Sequence, residues 1–254
     1  MATINPLSIA SFLTELFFND MSLGTATSFA YKYKNNKYLI TNYHVSYGRN
    51  PENGQPLNKM GSIPNKMSVY FYTQKMEPKF YTILYPESEN PFKYITINDT
   101  IIDIAIYKLD EKFIGVCINE IEELSKFLKQ ENNILLGITE SLYVLGYPRG
   151  INIALTPIWK RSSIASEPDI NPNGIPYFYI DTTTREGMSG SPVIFYTSNG
   201  SYQTTTGCSV LAGGCAYNLV GIYSGRDIND ESHIAQLGKV WKKELIEQII
   251  DKYF

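Results

Sequence analysis

The sequence is poor in histidine: His44 and His233 are the only two in 254 residues. With so few, and with no HExxH or paired CxxC motif, neither a zinc site nor any other cofactor is expected. Cysteine is scarce as well. Cys117, Cys208 and Cys215 are an odd set, too small for a disulfide framework, and point to reduced thiols. Cys208 and Cys215 are near enough in sequence to pair across a hairpin, and the sequence leaves that open. Lysine and arginine form no cluster and the net charge is −3, which argues against a nucleic-acid partner. No apolar run reaches the roughly 18 residues of a membrane-spanning helix. Ile9 to Phe18 is partly apolar, but no basic residue precedes it, Glu15 interrupts it and no small-residue cleavage site follows. A secretory signal is therefore not expected, and a cytoplasmic location is.

What the chain does contain is aromatic and β-branched. It has 20 Tyr and 12 Phe, with 43% hydrophobic and 19% charged residues, enough to bury a core and to favour strands. The length suits two small all-β lobes of about 100 residues each. Pro6 to Asn19 reads as a short helix. "TATSFAYKYK" alternates, "NNK" is a turn signal and "YLITNYHV" returns as a strand. Residues 46–64, with several Gly, Pro and Asn, read as a surface loop, either a lid or an insertion. "MSVYFYTQ", "KFYTILYP" and "IIDIAIYKL" read as strands. Asn119 to Asn132 carries Ile121, Leu124 and Leu128 at helical spacing and marks a boundary. Strands resume with "SLYVLGYP", "IALTPIWKRSSIAS", "YFYIDTT", "SPVIFY" and "NLVGIYSG". Trp241, Leu245, Ile249 and Ile250 form an apolar stripe that predicts a closing helix. The expected organisation is an N-terminal helical arm (1–23), a first barrel lobe (24–118), a helical linker (119–134), a second barrel lobe (135–240) and a C-terminal helix (241–254). The fold class is all-β: two antiparallel six-stranded barrels around a central cleft, with short helices at either end.

A serine hydroxyl is a weak nucleophile at neutral pH. It needs a base in contact, and the base needs a third group to orient it. "TNYHV" places His44 at the end of an apolar strand. "IIDIAIYKL" places Asp103 inside one, where a charge is costly unless paired. "GMSGSPV" places Ser189 in a glycine-flanked turn. Each segment alone has an ordinary structural explanation, but the order His, Asp, Ser is one of the known arrangements of a catalytic triad.

These segments resemble the trypsin-like (chymotrypsin-fold) serine peptidases over about residues 24 to 241. "LITNYHV" is similar to the strand carrying the family's base and "DIAIYKL" to that carrying its acid. "GMSGSPV" is similar to its GxSGxP nucleophile loop and "LVGIYSG" to the strand lining its substrate channel. The resemblance implies a serine endopeptidase acting on protein or peptide substrates, with His44 as general base and acid, Asp103 as its orienter and Ser189 as nucleophile. The N–H groups of Gly187 and Ser189 become the oxyanion hole. Met188 stands where zymogen-activated members carry Asp, so activation by a freed N-terminus is not expected. In this the chain is closer to the bacterial glutamyl-endopeptidase and HtrA-like branch. The resemblance places Thr183 and Thr184 on one wall of the substrate pocket, and Tyr223, Ser224, Gly225 and Arg226 on the other. With no acid at its base, Lys or Arg substrates are disfavoured. The competing reading is a catalytically silent or partner-activated binding module on the same fold, its activator a separate chain.

Overall fold

The computed structural model describes residues 4–121, 134–182, 185–211, 213–225 and 237–254. The helix expected over Pro6 to Asn19 is confined to a single 3-10 turn, Pro6–Ile9. Strand β1, Ser11–Phe18, follows at once. The periodicity explains this: Phe12 and Thr14 are fully buried and Leu16 packs with them, a spacing of two that only a strand presents to one side. β1 pairs antiparallel with β2, Met21–Tyr33, so the N-terminal arm is part of the first lobe.

β2 turns into β3, Asn36–Thr41, through Lys34 (φ 45°) and Asn35 (φ 66°). Two successive positive φ values are those of a type I′ hairpin, whose twist matches that of its strands. The first lobe is completed by β4 (Lys66–Tyr72), β5 (Pro78–Leu84), a small hairpin of β6 (Thr96–Ile97) and β7 (Thr100–Ile101), and β8 (Ala105–Lys108). Its six-stranded sheet runs β5-β4-β1-β2-β3-β8. Gly115 and Cys117 bridge Thr73 and Ala30 across its opening. Phe12, Leu39, Val69, Phe71 and Phe92 fill the interior.

The second lobe is a closed barrel in the order β10-β11-β16-β15-β12-β9. Its strands are β9 (Ser141–Gly146), β10 (Ile158–Ile164), β11 (Tyr177–Asp181), β12 (Pro192–Thr197), β15 (Ala216–Gly225) and β16 (Leu237–Lys242). A separate hairpin of β13 (Ser201–Gln203) and β14 (Ser209–Leu211) lies outside the barrel. Leu142, Val144, Phe178, Ile180, Val193 and Val240 form its core.

The closing helix starts later than its apolar stripe suggests. Trp241 belongs to β16, paired with Tyr177 and Ile222, and the helix spans Glu244–Tyr253. Its Leu245, Ile246, Ile249 and Ile250 enter a core shared by Phe29 and Ile40 of the first lobe and Leu145 and Ile222 of the second. Burying each such side chain stabilises by about 1.5–3 kcal/mol, which holds the lobes together behind the cleft. Most of the expected linker helix, residues 122–133, lies outside the described residues. The cysteines are free, so Cys208 and Cys215 are not bonded to each other. No helix among the described residues is long and apolar enough to cross a membrane.

Candidate active site

Strand β3 ends at Thr41, and the chain turns into a five-residue helix α1, Tyr43–Tyr47, so His44 stands on that helix rather than on a strand. Its main-chain N–H donates to Asp103 Oδ1 at 2.9 Å, and its ring Nδ1 meets Asp103 Oδ2 at 2.7 Å. Asp103 also departs from the expected strand interior. It occupies a bend between β7 and β8, where Ile104 N–H closes onto Ile102 C=O at 2.7 Å. That tight turn takes residue 103 out of the ladder and frees its side chain to face His44. Asn42 Nδ2 fixes the bend by donating to the Asp103 carbonyl at 2.7 Å.

Asp103 is 3% exposed. Burial pushes its carboxyl up, but the charge of His44 and hydrogen bonds from His44 and Ser224 outweigh this and hold it below its ordinary value. The Ser224 hydroxyl donates to the same Oδ2 that binds the ring. Sequence places Ser224 on a pocket wall; the structure turns its hydroxyl onto Asp103. Nothing in local pattern links positions 224 and 103, because the pairing is made only when the lobes close. With Nδ1 committed to Asp103, Nε2 is the nitrogen left to face the cleft that His44 lines.

Ser189 sits in the turn before β12, and this turn is held by the opposite lobe. Thr27 of β2 donates its N–H to Ser189 C=O at 2.9 Å and its hydroxyl to Gly187 C=O at 2.8 Å. The same hydroxyl accepts Tyr147 N–H at 3.2 Å. Sequence reasoning passed over Thr27, which carries no motif of its own. Gly187 (φ 89°) and Gly190 (φ 83°) occupy backbone angles that L side chains rarely adopt. A Cβ would stand 2.3 Å from Tyr147 O at the first and 2.1 Å from Thr27 O at the second. Met188 between them is 2% exposed and packs in the second barrel's core. Among the described residues, the N–H groups of Gly187 and Ser189 have no hydrogen-bond partner, and none joins Ser189 to His44.

Two cavities meet at this point. One of about 740 Å³ is lined by His44, Asp103, Ser189, Ser224 and Trp241, and one of about 380 Å³ by Leu23, Ala26, His44, Gly187 and Ser189. Leu57 and Glu186 border both. Leu57 belongs to the 46–64 loop, which is therefore a wall of the cleft. Backbone bonds from Asn50 N to Gln55 O and from Leu57 N to Gly48 O, each 2.9 Å, tie it into a compact turn. Of the expected pocket residues, Gly225 borders Ser189, with 3.7 Å from a Cβ position to Ser189 Oγ. Tyr223 is buried. Thr183, Thr184 and Arg226, with His233, lie outside the described residues.

Residues 26–200 match the trypsin-like peptidase domain. The chain belongs to that family. No curated protein sequence matches this trypsin-like peptidase domain. Solved structures share its fold at low identity. A serine endoprotease from Yersinia pestis is 14% identical with a TM-score of 0.51, covering 96% of this chain and 62% of its own. The MamO protease domain from Magnetospirillum magneticum is 13% identical with a TM-score of 0.51, over 95% of this chain and 96% of its own. A thermostable serine protease, AL20, from an extremophilic microorganism is 12% identical with a TM-score of 0.50, over 97% and 98%.

Proposed function

We propose that this trypsin-like peptidase domain is an active serine endopeptidase with Ser189 as nucleophile, His44 as general base and acid, and Asp103 as orienter. The observation that carries the reading is the Asp103 carboxylate, which is buried, bound at both oxygens and directed at a cleft-lining histidine. Accepting from Nδ1–H, the carboxylate fixes the tautomer that leaves Nε2 basic. Ser189 Oγ attacks the substrate carbonyl carbon as its proton passes to Nε2. The Gly187 and Ser189 N–H groups receive the resulting oxyanion, and each such donor supplies about 2.7–4 kcal/mol of transition-state stabilisation. Collapse breaks the C–N bond, His44 returns the proton to the departing amine, and an acyl ester remains on Ser189. Water, deprotonated by His44, then attacks the ester, and His44 returns that proton to Ser189 Oγ as the acyl C–O bond breaks.

The decisive experiment is labelling by a fluorophosphonate together with cleavage of unfolded casein. Wild-type protein is expected to show both, and Ser189→Ala neither, with folding intact. Undiminished labelling of Ser189→Ala would assign the nucleophile elsewhere. The unbonded Ser189–His44 pair favours one alternative, a domain switched on by a separate chain. Labelling that appears only with a partner present would select it.

A further inference from the structure

Among the described residues, Tyr223 reaches into the barrel end beside the nucleophile loop. Tyr223 lies on β15, two residues before Gly225, with its backbone joined to the nucleophile loop. Its N–H donates to Ser191 C=O at 2.9 Å and its C=O accepts Gly190 N–H at 3.0 Å. The ring does not emerge into the cleft, for Tyr223 is 1% exposed. It crosses to β16, where a Cβ on Gly238 would meet Tyr223 Cε2 at 2.5 Å and Thr182 Cγ2 at 3.0 Å. Gly238 thus presents no side chain here, and the space it leaves open is taken by the phenol, while Gly225 has only Ser189 Oγ, at 3.7 Å, near its Cβ position. Tyr223 clusters with Met188, Phe178 and Val240 in the barrel core, so the ring has packing to lose if it moves.

An extended peptide turns successive side chains to opposite sides. With its carbonyl at Ser189 and its chain passing Gly225, the residue that supplies the acyl group directs its side chain into this barrel end. We propose that Tyr223 is a size filter there, and that the enzyme cleaves after Gly, Ala or Ser and excludes aromatic and long aliphatic residues. The inference rests on the peptidase reading above and adds a substrate class to it. Overfilling a packed site costs enough to give a discrimination of roughly 10- to 100-fold.

The test uses the full chain and matched peptide diphenyl phosphonates that differ only in the residue mimicking the acyl donor, with a fluorophosphonate as control. Ala phosphonate is expected to inactivate at least about 10-fold faster than Phe or Leu phosphonate. Tyr223→Val is expected to reverse that order, and Tyr223→Phe, which keeps the ring, to retain it. Equal or faster wild-type reaction with Phe or Leu overturns the inference, as does an unchanged order in folded Tyr223→Val. If Tyr223→Val does not fold, the wild-type ratio decides alone. Fluorophosphonate labelling with the wrong size order rejects only the filter, whereas no labelling of Ser189 rejects the peptidase reading and the filter with it.

Discussion

The two lobes fix their parts of the site by different means. In the first, His44 and Asp103 are held side chain to side chain, with Asp103 bonded to the ring and to the main chain of His44. In the second, Ser189 is held through its backbone, and part of that hold comes from the facing lobe, through Thr27. A base–acid pair needs a charge placed accurately, and the proposed one is built from charged and polar side chains. A nucleophile loop needs its N–H groups turned toward the cleft, and the proposed one is built from glycines and carbonyl anchors. One design is sensitive to chemistry and the other to shape.

The largest effect should come from attacking the chemistry. Asp103→Asn keeps the size of the side chain but presents an amide to Nδ1, favouring the wrong tautomer. A fall of about 10⁴ in kcat is expected, with modest change in KM. A loss of under tenfold in steady-state peptide hydrolysis would show that Asp103 is not the orienter. A smaller effect should come from attacking the shape. Thr27→Val removes the hydroxyl that holds Gly187 C=O and Tyr147 N–H while keeping the side-chain volume. Because Thr27 acts only through the loop, a drop of roughly 10-fold in kcat is expected, below the 10²–10³ of losing an oxyanion donor outright. Thr27→Ser should restore it. An equal loss in Thr27→Ser would mean that packing, not the hydroxyl, is what matters.

Acid tests the same contrast through stability. The folded-state pKa of Asp103 lies below its ordinary value. Its contribution is therefore fully present above the unfolded pKa, about 3.9, and is lost as pH falls through the folded value. Urea unfolding from pH 5 downward should show wild-type stability falling more steeply than that of Asp103→Asn. Parallel slopes would mean that the Asp103 carboxyl is not held below its ordinary value in the folded state.

How much of this was legible in the sequence follows the same division. The strand leading to His44 and the turn carrying Ser189 were readable from apolar alternation and from glycine-flanked serine, since these are local signals, though His44 itself stands one turn beyond the strand, on α1. Ser11–Phe18 was misread because a short apolar segment fits either period, and its pairing with β2 and β4 decides. Trp241 looked helical because its spacing to Leu245 is four, yet it pairs with strands 64 and 19 residues away, at Tyr177 and Ile222. Thr27 and Ser224 were invisible in their roles for a single reason: each acts on a residue more than 100 positions distant, across the seam between lobes.

The smallest expected effect lies at the back of that seam, far from the chemistry. The Tyr31 hydroxyl, on β2 of the first lobe, donates to Glu247 Oε1 of the closing helix at 2.8 Å. Burial, then the hydrogen bond and charge of Glu247, push the phenol above its ordinary range, so it remains a neutral donor throughout the physiological range. Tyr31→Phe keeps the ring and deletes only that donor. A hydrogen bond to a charged acceptor contributes about 1.5–3 kcal/mol, and the partial exposure of this one places it at or below the lower end. For a chain of this size, about 1 kcal/mol corresponds to a fall in Tm of roughly 2–4 °C. Activity at 25 °C should stay within about twofold, because the shared apolar core still joins the lobes without this bond. A large loss of peptidase activity in folded Tyr31→Phe would show that the seam transmits to the active site, and that the two lobes do not fix their residues independently.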